Sequence, residues 1–473
     1  MKKAKIKLLL LCLIFSIFPA NAQIKIASVL GNNMVLQRNS EVKIWGKADP
    51  NKSLKITTSW NKASVTAVSN ENGDWVAKVK TTEAGGPYTV SIESGKEKIK
   101  LENILLGEVW LCSGQSNMEM PVIGFPYQPI IGSAETLLQA DNQNLRLFTV
   151  QKTPMSTPQD NCIGKWEVSN AETVSKFSAV GYYYARLLQQ KLNVPVGIIC
   201  SSVGGTPIQA WMSSKALDTF PESFKKSSPE ARDQNRPSYL YNGMINPLVN
   251  YAIKGIIWYQ GEANRANYKD YTDLQKAMVN SWRADFGVGE FPFYYVQIAP
   301  YAYGDSESPL SAFMQVEQLK AMALIPNSGM VCTLDLGSEY WIHPADKETV
   351  GKRLAVWSLS ETYGFKGLSY KSPTFKSFEV KDSIVTISFN NAELGITDFD
   401  KSVDCFELAG EDKIFYPAKM IKMNNEFRKI QVISDKVKAP VAIRYAFKNF
   451  PRTQGYLFST TGLPVPSFRT DDY

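Results

Sequence analysis

Between Ile104 and about Phe365, short apolar runs rich in Val and Ile (ILLGEVWLC, VPVGIICS, KGIIWYQGE, FPFYYVQIA, SGMVCTLDLG) alternate with helix-patterned stretches such as VGYYYARLLQQKL and YTDLQKAMVNSWRADF. No other feature restricts the fold as much. A strand without a polar side must be covered on both faces, and parallel strands are joined by crossover helices, so this texture predicts an α/β, three-layer domain around a parallel sheet. In open sheets of this kind, sites form in the loops at the strand carboxyl ends.

The flanks read differently. From residue 23 to 103 the chain offers VKIWGKA, SLKITTSW, ASVTAVSN, WVAKVKTT and PYTVSIES, alternating strands separated by turn residues, with Asn72-Gly73 as a hairpin signal. Such a series predicts a small β-sandwich-like module. Alternation returns after residue 365 in SIVTISFN, KIQVISD and PVAIRYAF, giving a second β region over 366–473. Its last stretch, Ser459 to Tyr473, is rich in Thr, Pro and Asp and reads as a surface tail. The expected division is therefore 1–22, 23–103, 104–365 and 366–473.

Residues 1–22 have the layout of a secretory signal peptide: Lys2, Lys3, Lys5 and Lys7, an apolar run from Leu8 to Phe18, then Ala20-Asn21-Ala22. The apolar run is too short to span a bilayer, so export to the periplasm or beyond is expected, with no membrane attachment after cleavage. The segment holds four lysines and no acidic residue, so without it the formal net charge falls from +7 to +3. That balance gives no electrostatic footprint for nucleic acid. Cys112, Cys162, Cys200, Cys332 and Cys405 remain. Their spacing fits neither a disulfide framework nor a metal pair, and Cys112, Cys200 and Cys332 lie in or beside apolar runs as small buried hydrophobes, although an exported compartment permits one disulfide. One histidine cannot furnish a His-rich metal site, and neither metal nor cofactor is expected.

Four polar blocks follow apolar runs. Gly114-Gln115-Ser116-Asn117-Met118 puts a serine at a strand-to-helix turn, where its hydroxyl is exposed and backbone N–H groups gather, although a helix N-cap needs the same residue. Gly204-Gly205 permits close backbone approach, either to an oxyanion or in a plain turn. In WYQGEAN, Gln260 can offer a neutral donor to an oxyanion and Glu262 can orient it or lie on the surface. His343 is the only imidazole in the chain, so any serine here that uses an imidazole base must use it.

Taken together, GQSNM, GGTPIQAW, WYQGEAN and IHPADK resemble the sialic-acid-specific acetylesterase family of SGNH-type carbohydrate esterases. The resemblance spans the α/β region and, less specifically, its flanks. It implies an SGNH-hydrolase-like fold and an acyl-enzyme mechanism with Ser116 as nucleophile and His343 as base. Ser116 N–H, Gly205 (or Gly204) and Gln260 are then the expected oxyanion donors. Glu262, Asn264 and Tyr241 are expected at the substrate, an acetylated sugar or glycan.

The sequence departs from the SGNH pattern in one place. Trp341 and Tyr340 occupy the positions where an acidic residue often precedes the histidine. Asp335 is the first choice for the triad acid, Glu339 the second, and a backbone carbonyl can also orient an imidazole in a Ser-His dyad. Asp346, in the HPADK block, is expected to hold its loop. Other readings are an acetylxylan or other polysaccharide O-acetylesterase and a non-catalytic glycan-binding protein, with Trp211, Tyr239, Tyr241, Tyr340 and Trp341 as aromatics able to stack on sugars.

Overall fold

The computed structural model describes residues 24–421 and 426–473; the predicted signal peptide lies outside them. Seven strands form the central sheet: β1 (Glu97–Gly114), β2 (Asn142–Thr149), β3 (Trp166–Ser169), β4 (Val196–Ser202), β5 (Gly255–Tyr259), β6 (Phe293–Val296) and β7 (Ser328–Val331). Their spatial order is β3-β2-β4-β1-β5-β6-β7. Neighbours are parallel except β3, which runs antiparallel to β2 at one edge.

The helices that frame the site are α1 (Ser116–Glu119), α2 (Ala179–Leu192), α3 (Tyr271–Phe286), α4 (Leu310–Leu324) and α5 (Lys347–Glu361). Successive strand residues point to opposite faces, and the core divides accordingly. Trp110, Cys112, Ile257 and Tyr259 pack with Val180 and Tyr184 of α2 and Val350 and Leu354 of α5. Val109, Leu111, Ile256 and Trp258 pack instead with Met278 and Trp282 of α3 and Met314 of α4. The expected helix–sheet–helix layering follows from that alternation. The helix ends are specified locally: Ser178 caps α2, Asp346 caps α5, and Gly287 closes α3 in the left-handed region.

Toward the N-terminus, a three-stranded sheet (Lys25–Ile26, Glu41–Lys47, Asp74–Lys80) faces a ladder of Ser64–Val68, Ser53–Thr58, Gly85–Ser94 and the first half of β1. The strand β1 pairs antiparallel with Gly85–Ser94 and continues into the central sheet, so the chain crosses residue 103 without leaving a strand. Asn72-Gly73 makes a tight turn but not a hairpin. The strands on either side of it, Ser64–Val68 and Asp74–Lys80, pair in different sheets, so the turn hands the chain from one layer to the other.

The C-terminal region is a seven-stranded antiparallel sheet among the described residues, with its own core including Val385, Phe406 and Tyr445. Its last strand, Phe468–Arg469, overturns the surface-tail expectation. Val465 and Phe468 are buried, and Asp471 pairs with Arg444, so the polar composition of this stretch belongs to turns around apolar anchors. The five described cysteines are free thiols, with Cys112, Cys200 and Cys332 buried. No helix among the described residues is long and apolar enough to cross a membrane.

Gly114 ends β1 at φ +137°, and a methyl group there would stand 2.1 Å from the Tyr259 carbonyl oxygen. Gly114→Ala is expected to destabilise the fold by more than about 2 kcal/mol, read as a lower midpoint in urea unfolding at unchanged slope.

Candidate active site

The sheet brings three blocks to one level. Gly114 is in register with Ser202 of β4 on one side and Tyr259 of β5 on the other. Chain order reverses direction across β1, which makes its carboxyl end the switch point where open α/β sheets place their sites. Gln115 N–H donates to the Tyr259 carbonyl (2.9 Å) and Val203 N–H to the Gly114 carbonyl (3.1 Å), so the three strand ends are tied together.

Ser116 is the first residue of α1, and the N-cap position belongs to Gln115. Gln115, Asn117 and Met118 are buried, whereas Ser116 is partly open to solvent. At the first turn of a helix the Ser116 N–H has no intrahelical acceptor. Gln115 Oε1 accepts from Gly261 and Ala263 N–H (3.3 Å each), locking the turn to the WYQGEAN block.

Gly204 packs directly on the serine: a methyl group there would lie 3.2 Å from Ser116 Cβ. Its N–H donates to Glu119 Oε2, on the same face of α1 as Ser116. Burial raises the Glu119 carboxyl above its usual range, against the opposing effect of that hydrogen bond. Gly205 takes φ +70° with open space where a side chain would be. Of the paired glycines, Gly205 is the one whose N–H is not committed to Glu119.

His343 lies in the loop between β7 and α5, half-buried, with its ring edge-on to Phe125 at 5.2 Å. Its Nδ1 is 2.7 Å from Gln128 Oε1. Asn117 Nδ2 donates to the Ile342 carbonyl (3.2 Å), so the residue after Ser116 is bonded to the residue before His343. Burial, with the nearby charge of Lys347 adding to it, pushes the imidazole down to about 4.

Asp335 is elsewhere engaged. Both of its oxygens are held by Arg353 of α5 (2.8 and 2.7 Å), and Glu339 pairs with Arg452. The expectation of Asp335 as partner of the histidine is therefore corrected: a bidentate arginine is the better partner for a largely buried carboxylate, and Nδ1 meets a carboxamide instead. Gln260 is corrected likewise. It is fully buried, its two amide protons go to the Thr206 carbonyl (3.0 Å) and Asn264 Oδ1 (2.8 Å), and none is left for an oxyanion.

The three residues expected at the substrate all face inward. Glu262 accepts from Asn117, Asn264 joins Gln260, Gln209 and the Ile208 N–H, and Tyr241 donates to Asp285 (2.6 Å). Trp211 is core, whereas Tyr340 and Trp341 are 80% and 40% exposed beside His343. Tyr127, in the loop that carries Gln128, is 96% exposed. No group of His, Cys, Asp and Glu among the described residues is placed to hold a metal ion.

The model of the carbohydrate esterase, sialic acid-specific acetylesterase family matches residues 106–359, which contain all four blocks. The chain belongs to the sialic acid-specific acetylesterase family. It is accordingly an esterase. The sialate O-acetylesterases of Homo sapiens and Pongo abelii are each 28% identical to it, over 94% of this chain and 92% of theirs. A carbohydrate acetylesterase from Xanthomonas citri matches with TM-score 0.86 at 30% identity, covering 95% of this chain and 100% of that one.

Two neighbours of the imidazole in this esterase had no signal in the sequence. Gln128 sits in GFPYQP, a loop without catalytic pattern, and Lys347 looks like an ordinary helix-start lysine. Asp346 does what its block suggested, capping α5 through Thr349 N–H (2.9 Å).

Removing the Asp335 carboxylate leaves Arg353 as an unpaired, largely buried cation. Asp335→Ala is expected to lower stability by about 3 kcal/mol in urea unfolding. Turnover by the folded fraction is expected to stay within about threefold of the parent enzyme, a far smaller loss than removal of a triad acid produces.

Proposed function

We propose that this esterase removes O-acetyl groups from sialic acids or related glycans through an acyl-enzyme, with Ser116 as nucleophile and His343 as general base. The observation that carries this reading is the hydrogen bond from Asn117 to the Ile342 carbonyl, which joins the serine turn to the histidine loop at the carboxyl end of β1. A carboxamide oxygen only accepts, so Nδ1–H donating to Gln128 Oε1 leaves the Nε2 lone pair for the serine proton. Gln128 thus takes the orienting place of the triad acid.

In the first step Ser116 Oγ bonds to the acetyl carbon as its proton passes to His343. The tetrahedral oxyanion meets the N–H groups of Ser116 and Gly205, each donor contributing on the order of 3 kcal/mol of barrier reduction. The imidazolium then protonates the departing sugar oxygen, and the ester bond breaks. In the second step His343 takes a proton from water as that water attacks the acetyl carbon, and the imidazolium then returns the proton to Ser116 Oγ as the acyl bond breaks and acetate leaves. Tyr340, Trp341 and Tyr127 are exposed around the histidine, where sugar rings can stack.

The SGNH-type description of the three-layer domain, the division at residues 103 and 365, the first of which β1 runs across, and export by way of the N-terminal segment belong to the same proposal. Parallel strand order, the four blocks at strand ends and the Lys-rich, apolar, A-x-A sequence of residues 1–22 support them. The 28% identity to sialate O-acetylesterases makes sialic acid the preferred substrate, ahead of acetylated xylan.

Acetate release from O-acetylated sialic acid, acetylated xylan and an aryl acetate tests the proposal. The mature enzyme is expected to prefer the first, and Ser116→Ala to lower kcat on every substrate by at least about 10³-fold without loss of fold. Full activity in Ser116→Ala removes the nucleophile assignment, and inactivity of the parent on all three substrates favours a glycan-binding role.

The pH profile gives a separate check. The base must be neutral, so kcat/KM is expected to fall as pH drops through about 4, where the buried imidazole protonates. Gln128→Glu places a carboxylate against Nδ1, stabilises the imidazolium and should move that limb up by about 1–3 pH units.

A further inference from the structure

The carboxamide of Asn117 meets several parts of the chain at once. Its Oδ1 accepts from Lys347 Nζ, in the first turn of α5. Its Nδ2 donates to Glu262 Oε1 (2.5 Å), just beyond β5, and to the Ile342 carbonyl. Its backbone continues directly from Ser116. All three side chains are withdrawn from water, with Asn117 and Lys347 at 0% exposure and Glu262 at 8%.

An ammonium and a carboxylate buried in this way add little to stability, because desolvating both roughly cancels their attraction, and apolar residues of similar volume often serve as well. Satisfaction is also incomplete: Glu262 Oε2 has no hydrogen-bond partner among the described residues. What the arrangement does provide is direction. A cation on Oδ1 and a carboxylate on Nδ2 polarise the amide in the same sense, which strengthens every bond it makes, including the one to the histidine loop.

We propose that Lys347, Asn117 and Glu262 form a positioning network that fixes the Ser116 turn against the His343 loop, with Lys347 placing a positive charge beside that loop. The proposal rests on the Ser116–His343 reading above. The charged groups near the network are Lys347 and Asp346 at the start of α5, Glu262 after β5, and Glu119 on α1, which is held on Gly204 N–H. The Tyr259 ring lies 5.6 Å from Lys347 Nζ. Burial pushes Lys347 down to about 7, opposed by Glu262 and Asp346, and burial raises Glu262. Near the acid limb at about pH 4, Lys347 is therefore charged and its field acts on His343.

The test uses Asn117→Ala and Lys347→Met in the full mature chain, with an aryl acetate as probe and thermal unfolding as control. Asn117→Ala is expected to lower kcat by about 10-fold to 100-fold with KM within about twofold, the mark of lost alignment rather than lost binding. Removing the cation makes the imidazolium easier to form, so Lys347→Met should raise the acid limb of kcat/KM by about half a pH unit or more.

Wild-type kcat in Asn117→Ala, or a lower unfolding temperature in Lys347→Met with an unmoved acid limb, overturns the proposal and leaves a structural role. Should Lys347→Met not fold, the kcat and KM of Asn117→Ala decide. Failure of the underlying reading is distinguishable, because it shows as activity retained in Ser116→Ala.

Discussion

The register of three strands at Gly114 is the constraint on which the site depends. Parallel pairing sets Gly114 level with Ser202 and Tyr259, so the segments that leave β1, β4 and β5 start from one line. Gly114 is held there by a backbone that approaches the Tyr259 carbonyl too closely for any side chain. A slip of one residue would turn each strand's core face to the other layer and separate Ser116 from Gly204, so core packing and site geometry are specified together.

Around that line the site is built mostly from carboxamides. Gln115, Asn117, Gln128, Gln260 and Asn264 each connect two or more segments, and most of their partners are backbone groups or one another. An amide offers both donor and acceptor at a much smaller desolvation penalty than an ion, which suits a crowded, dry region beside a nucleophile. Nearby carboxylates are committed elsewhere, Asp335 to Arg353 and Glu339 to Arg452, while Glu119 occupies the Gly204 N–H. The imidazole is thereby left beside a neutral orienter and a lysine, and burial first, with the lysine's charge second, holds its pKa low.

Much of this was legible from residue patterns. Apolar runs located five of the seven central strands, missing β2 and β3, amphipathic periodicity located α2 and α3, and four polar blocks at strand ends marked Ser116, the glycine pair and His343. Sequence reasoning failed where a polar residue's partner lies far along the chain. Gln260 reads as an exposed donor after a strand but is wholly consumed by Thr206 and Asn264; Asp335 reads as a triad acid by proximity to His343, yet α5 returns with Arg353 to claim it. The polar C-terminal stretch misled for a related reason, since Val465 and Phe468 are few among turn residues but anchor them in the sheet.

The sequence by itself determined the α/β class with its β flanks, the identity of the sole imidazole, and the serine at the end of β1, because periodicity and residue chemistry are local properties. Only the tertiary structure decided which group faces His343 Nδ1, which glycine keeps its N–H clear of Glu119, and that Lys347 and Glu262 meet across Asn117. Those are contacts between residues up to about 230 positions apart. Their geometry depends on strand register, loop path and helix return, and no local pattern encodes where a loop such as that of Gln128 will come to rest.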